Sequence, residues 1–191
     1  MHTEKSVAQD IVSAGIAVRP QRAEGVGAGG VYTVVCHDAN GNLKWSDSFH
    51  NLVVNQGLQD MNSKYFSGSG YTAAWYLGLV TGPGSGTAFA AGDTLASHAG
   101  WTENTAYTGN RKAATFGTAT TADPSVISNS ASPAVFTMSS NAQTIAGAFL
   151  CSVSSGTSGI LFSAGDFTGG DKFVDSGDTL TVTYTFSLDA A

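Results

Sequence analysis

From Val31 onward, apolar and polar positions alternate with a period of two, the signature of strands whose successive side chains point to opposite faces. The alternation is sharpest over 179–188. There Leu180, Val182, Tyr184, Phe186 and Leu188 interleave with Thr179, Thr181, Thr183, Thr185 and Ser187. Such a segment predicts a strand with one buried and one wetted face, as in an antiparallel sheet. Earlier, VYTVVCH and LKWSDSFH flank Asp38-Ala39-Asn40-Gly41-Asn42 and predict a hairpin, with Asn40-Gly41 as a type I′ turn. That turn sets Cys36 opposite Trp45 and Tyr32 opposite Phe49, apolar against apolar. Asp47 opposite Val34 is the one misfit.

A single helix is expected in the body. Asn55 can cap it, and Leu58, Met61 and Tyr65 form a stripe at i, i+3 and i+7. YTAAWYLGLV (71–80) reads as a compact buried strand, TGPGSGTAFAAG as a long loop, and DTLASHAGWTENTAY as a segment with one short helical turn. Further strands are expected in RKAATFGTA, SVISNSA, AVFTMSS, QTIAGAFLCSV and GILFSA. About nine short strands separated by turns predict an all-β antiparallel sandwich or jelly roll. No repeat period is visible, which excludes a solenoid or propeller.

Residues 1–30 break the pattern. Val7, Ile11 and Ala14 fit a short amphipathic helix, and Pro20 to Gly30 reads as a flexible linker. The expected organisation is an N-terminal arm and linker over 1–30 and a β-sandwich domain over 31–191. Gln9 and Asp10 interrupt the apolar stretch of the arm, so it does not read as a signal peptide, and synthesis in a cytoplasm is expected.

Composition narrows the function. Charged residues are 12% of the chain, about half the usual share, and Ser, Thr and Gly together make roughly a third. Extracellular β-proteins and virion proteins have such surfaces. The formal charge is −6, and no basic face can be assembled beyond Arg111-Lys112, which argues against a nucleic-acid partner. No apolar run reaches the ~18–20 residues needed to span a bilayer, so no membrane partner is expected.

Candidate chemistry is sparse. Gly25-Val26-Gly27-Ala28-Gly29-Gly30 matches a G-x-G-x-x-G string, but a linker precedes it and a strand follows, the reverse of a dinucleotide site. Asp38 to Asn42 opens like an EF-hand loop, yet Leu43 and Phe49 stand where Gly and Glu are required. Asp93, His98 and Glu103 around Trp101 suit loop hydrogen bonds better than a metal, since no second His joins them. Asp166, Asp171, Asp175 and Asp178 read as solvated turn aspartates, with calcium the alternative. His2, His37, His50 and His98 are scattered and there is no G-x-S-x-G elbow. No catalytic, cofactor or metal residues are therefore assigned, and no cofactor and no enzyme activity are expected. Cys36 and Cys151 lie in apolar strand-like surroundings and are expected reduced and buried, although sequence alone leaves their pairing open.

The run GGVYTVVCHDANGNLKWSDSFHNLVVNQGLQDM resembles the opening of a group of small virion structural proteins of tailed phages. WYLGLV, DTLASHAGWTENTAY, GAFL, GILFSAGDF and GDTLTVTYTFSL extend the likeness over roughly 29–190. The nearest functional match is the capsid decoration, or cement, protein of short-tailed phages. That resemblance implies a small jelly-roll or sandwich domain on the capsid exterior. It would clamp neighbouring major capsid proteins and associate with copies of itself as a homodimer or trimer. Two other roles remain open: a head-fibre or tail-fibre receptor-binding component using loops such as 81–100, and a hydrolase of surface polymer.

Overall fold

The structure is a computed structural model that describes residues 25–68, 71, 74–82 and 88–190. The expectations placed on residues 1–24 lie outside the described residues. In chain order the elements are β1 (Val26–His37), β2 (Leu43–His50), β3 (Leu52–Val53), α1 (Asn55–Ser67), β4 (Tyr76–Thr81), β5 (Thr102–Asn104) and β6 (Lys112–Ala113). They continue as β7 (Ser125–Ser128), β8 (Ala134–Thr137), β9 (Gln143–Cys151), β10 (Leu161–Asp166), β11 (Lys172–Val174) and β12 (Thr179–Ala190).

The strands form two antiparallel sheets, so the all-β sandwich expected from the alternation is the observed architecture. Sheet A has the order β2-β1-β12-β7, with β8 also paired to β12. Sheet B has the order β3-β10-β9-β4-β5, with β11 on β9 and β6 on β4. Between the sheets lie Tyr32, Val34, Cys36, Leu180, Val182 and Tyr184 from sheet A and Leu77, Leu79, Ile145, Ala148 and Leu150 from sheet B. Full burial of each large apolar side chain contributes about 1.5–3 kcal/mol before entropy is counted. A polar pin crosses this core: the Tyr32 hydroxyl is 2.8 Å from Ser163 Oγ on the opposite sheet.

The hairpin has the expected register, with Tyr32 opposite Phe49 and Cys36 opposite Trp45. Its turn differs. Gly41 alone in the loop has positive φ (85°), whereas a type I′ turn requires two such residues. The Gly41 N–H donates to the Asp38 carbonyl, and the register shifts between Cys36 and His37 to set His37 opposite Leu43. The loop is thus a turn closed by a bulge. Asp47, the misfit opposite Val34, is 3.3 Å from the Lys172 ammonium and accepts the Gly169 N–H at 3.1 Å.

Three expectations need correction. Val26–Gly30, read as the end of a linker, form the first rungs of β1, with Val26 opposite Ala190 and Gly30 opposite Phe186. The glycine-rich stretch is a strand because β12 is long enough to pair it. Glycine is also needed there: a Cβ on Gly30 would stand 2.5 Å from the Tyr184 hydroxyl. Secondly, the strand expected over 71–80 is confined to Tyr76–Thr81. Thirdly, the segment 93–107 contains no helical turn; it holds the short strand β5 and the bridge between Thr94 and Ser97.

Sheet B is buried on both faces. Against its outer face pack Val54, Leu95 and Trp101, which meet Val80, Phe149, Cys151, Leu161 and Ala164. Residues 88–101, the end of the expected loop over 81–92 and the start of the segment after it, therefore supply a third layer.

Candidate interaction surface and cavity

α1 sits against sheet B, and its orientation follows from one close approach. Gly57 faces β10 so tightly that a Cβ there would lie 2.5 Å from the Phe162 carbonyl oxygen. Val54 is the N-cap and offers no side-chain bond, so Asn55 is the first helical residue and not the cap expected. The Asn55 N–H instead donates to the Ala91 carbonyl at 2.8 Å, and Gln56 Oε1 accepts the Leu161 N–H at 2.8 Å. The helix ends at Gly68, whose φ of 64° is left-handed.

With Gly57 inward, the buried side of α1 carries Asp60, and Met61 and Lys64 are half-buried beside it. The expected stripe of Leu58, Met61 and Tyr65 is corrected accordingly. Leu58 is 40% exposed, Tyr65 83% and Phe66 79%. At 100° per residue these three fall within about a quarter of the helix circumference, so α1 presents an apolar strip to the outside. The Tyr65 and Phe66 rings meet edge to face at 4.9 Å.

On the inward side of α1 the sheets part and leave a cavity of about 220 Å³. Its floor is Leu150 and Tyr184, its walls are aromatic, and Asp60, Lys64 and Tyr71 stand at the mouth. Trp75 meets Phe162 edge to face at 5.3 Å, and Phe162 meets Phe186 in the same way at 5.4 Å. Asp60 is only 9% exposed and lines the cavity beside Met61 and Lys64. The Lys64 ammonium is drawn over the Tyr71 ring, 5.5 Å from its centre. Burial pushes the Tyr71 phenol up, a hydrogen bond from Trp75 works against the shift, and the Asp60 charge adds to it.

The candidate residues of the sequence reading are dispersed and mostly engaged. Asp93 Oδ2 accepts the Trp101 indole N–H and the Ala90 N–H, each at 3.0 Å. His98 stacks on Trp101 at 3.9 Å, with Nδ1 3.0 Å from the Trp101 carbonyl. Glu103 takes two hydrogen bonds from Arg111, at 2.8 and 2.6 Å. These three side chains therefore hold the loop layer in place. Asp178 accepts the Lys44 ammonium at 2.6 Å and the Asp175 N–H at 2.8 Å, while Asp175 accepts the Ala142 N–H at 3.0 Å. Asp166 lies on β10 opposite Gly147, and Asp171 has contacts of its own. Among the described residues no three His, Cys, Asp or Glu side chains gather in metal-ligating geometry.

Asp38 closes its own loop. The Asn42 side chain and N–H and the Asn40 N–H donate to its carboxyl and hold it below its usual range. His37 and His50 stand at opposite ends of the hairpin. Both cysteines are free and buried: Cys36 lies between the sheets, and Cys151 lies under the loop layer on the outer face of sheet B. Burial pushes the Cys36 thiol up to about 11, with the Asp178 charge adding to the shift. Burial likewise raises Cys151.

Sequence reading missed Asp60 and the cavity. Asp60 sits in an unremarkable polar stretch, and only the inward turn of Gly57 buries it. No protein-family model, no curated protein and no solved structure matches this chain.

Proposed function

We propose that the protein is a structural subunit of a tailed-phage particle, a capsid decoration or cement protein that bridges neighbouring major capsid proteins on the head exterior. Its partners are the major capsid protein and copies of itself, as a homodimer or trimer. The observation that supports this reading is the outward strip of Leu58, Tyr65 and Phe66 on α1. Large apolar side chains left together on a surface mark a protein contact. The chain is low in charged residues and rich in Ser, Thr and Gly, which lets a subunit add contact area with little charge to desolvate. A single small contact is weak, and repetition over a shell supplies the avidity.

The reading is non-enzymatic, because Asp93, His98, Glu103, Asp175 and Asp178 are all committed to structural contacts. A receptor-binding role for residues 81–100 has less support: over 88–101, Leu95 is 1% and Trp101 6% exposed. The test is to replace Leu58, Tyr65 and Phe66 together by Ser and to count copies per particle. Unchanged melting with a loss of at least ten-fold in occupancy is expected. Full occupancy by the triple variant would overturn the strip as the contact, and a native copy number of only a few would overturn decoration.

A further inference from the structure

The outward strip of Leu58, Tyr65 and Phe66 on α1 is about 12 Å long, and the rest of the described chain leaves it open. The described residues begin at Gly25, so 24 residues of chain precede them. β1 fixes where that chain joins the body. Gly30 pairs with Phe186, and Phe186 lines the cavity beneath α1 together with Met61 and Lys64. From there β1 runs outward past the cavity to Val26, at the end of the sandwich that α1 occupies and far from the 38–42 turn. Residues 1–24 therefore enter the fold on the same side as the strip.

The sequence of that stretch encodes a helix too short to stand alone. Ser6 and Gln9 have the spacing of a capping box, with Ser6 as the cap and Gln9 returning the bond. Asp10 follows in the first turn, where a carboxylate meets the positive end of the helix dipole. Pro20 disfavours helical backbone at Arg19, which ends the segment at Val18. Within 7–18, Val7, Ile11, Ala14 and Val18 fall inside about 60° of the circumference and make one apolar stripe. Twelve residues that include Gly15 are marginal as a free helix in water. Such a helix forms when something covers its stripe.

We infer that residues 7–18 dock as a helix on the strip of Leu58, Tyr65 and Phe66 of the same chain and cap it in the free subunit. Length fits, since twelve residues make about 18 Å of helix and the thirteen of α1 about 20 Å. Reach fits as well, because residues 19–24 span up to about 20 Å when extended. The tether decides which copy is met. A short linker gives an effective concentration in the millimolar range, so at micromolar protein each arm finds its own strip first. The proposal goes beyond the decoration reading and does not need it, since the free chain alone is tested. Where both hold, a particle displaces the arm to reach the strip, and free subunits do not associate through it beforehand.

The test places a nitroxide on the full chain through Ser13→Cys, on the side of the arm helix away from its stripe. Cys36 and Cys151 are buried, so the label enters the folded protein at position 13. Two-dimensional NMR compares amide intensities with the nitroxide active and reduced. Intensities over 58–67 should fall by about two-fold or more, while those of the 38–42 turn at the far end stay unchanged. Ile11→Asp, or Tyr65→Ser with Phe66→Ser, should each restore them, with dispersed β12 resonances showing that the body remains folded. A mixture of isotope-labelled chains and nitroxide-bearing chains reports contact between copies, and no loss is expected in it at micromolar concentration. Absence of loss over 58–67 overturns the proposal, as does a loss that survives both sets of substitutions. Equal loss in the mixture also overturns it, because the arm would then pass from one copy to another.

Discussion

The two sheets solve the same packing problem in different ways. Sheet A buries one face. Along β12, Leu180, Val182 and Tyr184 are fully buried while Thr179, Thr181 and Thr183 between them stay half-exposed. Sheet B buries both faces, because 88–101 and the start of α1 cover its outer side. Along β4, Leu77, Gly78, Leu79 and Val80 are consecutive and all buried, and β9 is buried from Ile145 to Cys151. A one-sided strand must alternate, whereas a two-sided strand reads as a continuous apolar run. The difference between the two patterns therefore reports how many layers the molecule has.

Inserting a charge tests this most severely. Leu79→Asp and Val80→Asp, adjacent in β4, should each prevent accumulation of folded protein, since both side chains are 0% exposed on opposite faces. In β12, Val182→Asp should do the same, while Thr183→Asp should cost no more than about 1 kcal/mol. Soluble yield and urea unfolding measure all four. A mild Val80→Asp would mean that the outer layer lifts off easily and that sheet B is in effect one-sided.

Removing the layer itself should have the next largest effect. Trp101→Ala should destabilise by about 3–5 kcal/mol, because its ring packs on Phe149 and His98 and its N–H satisfies Asp93. Asp93→Ala, which orphans the indole and the Ala90 N–H, should cost about 1–3 kcal/mol. In Trp101→Ala, thiol labelling should reach Cys151 before Cys36, since only Cys151 lies beneath that layer. Simultaneous labelling would show that the two faces open as one unit.

The smallest effect is alkaline. A free thiol ionises near 9.0, and burial holds folded Cys36 neutral up to about 11. Between those values the folded chain binds more protons than the unfolded one, so stability is level below pH 9 and falls as pH rises toward 11. The buried Tyr32 and Tyr184 phenols, pushed up chiefly by burial, extend the decline. The urea midpoint should drop from pH 8 to about pH 10.5, and drop less in Cys36→Val. An identical slope in that variant would assign the whole decline to Cys151 and the tyrosines.

Legibility followed the same division. The hairpin register, the presence of a helix after Asn55 and the buried face of β12 were readable because each depends on local pattern. The inward face of α1 was not, since Gly57 carries no side chain to announce that it meets Phe162. The loop layer escaped for a related reason. FAAGDTLASHAGW has turn residues and few large apolar ones, yet its Leu95 and Trp101, with Phe89 beside them and Val54 from the start of α1, cover the outer side of β4 and β9. Val26–Gly30 were obscured by their glycines, which discourage a strand until the Tyr184 ring is seen to need the space. The two- and three-residue strands β3, β5, β6 and β11 are too short for any period to register.

The pairing of β1 with β12 has a consequence for how the chain reaches this state. Gly29 and Ser187 are 158 residues apart, and their strands are neighbours at the centre of sheet A. Closing so long a loop is entropically unfavourable and slows folding. During synthesis β1 can pair early with β2, but its other edge has no partner until β12 leaves the ribosome. For that interval the β1–β2 hairpin exposes an unpaired ladder with Tyr32, Val34 and Cys36 uncovered, a template on which two nascent chains can join. Correct folding thus depends on β12 reaching β1 before the same edge of a second nascent chain does.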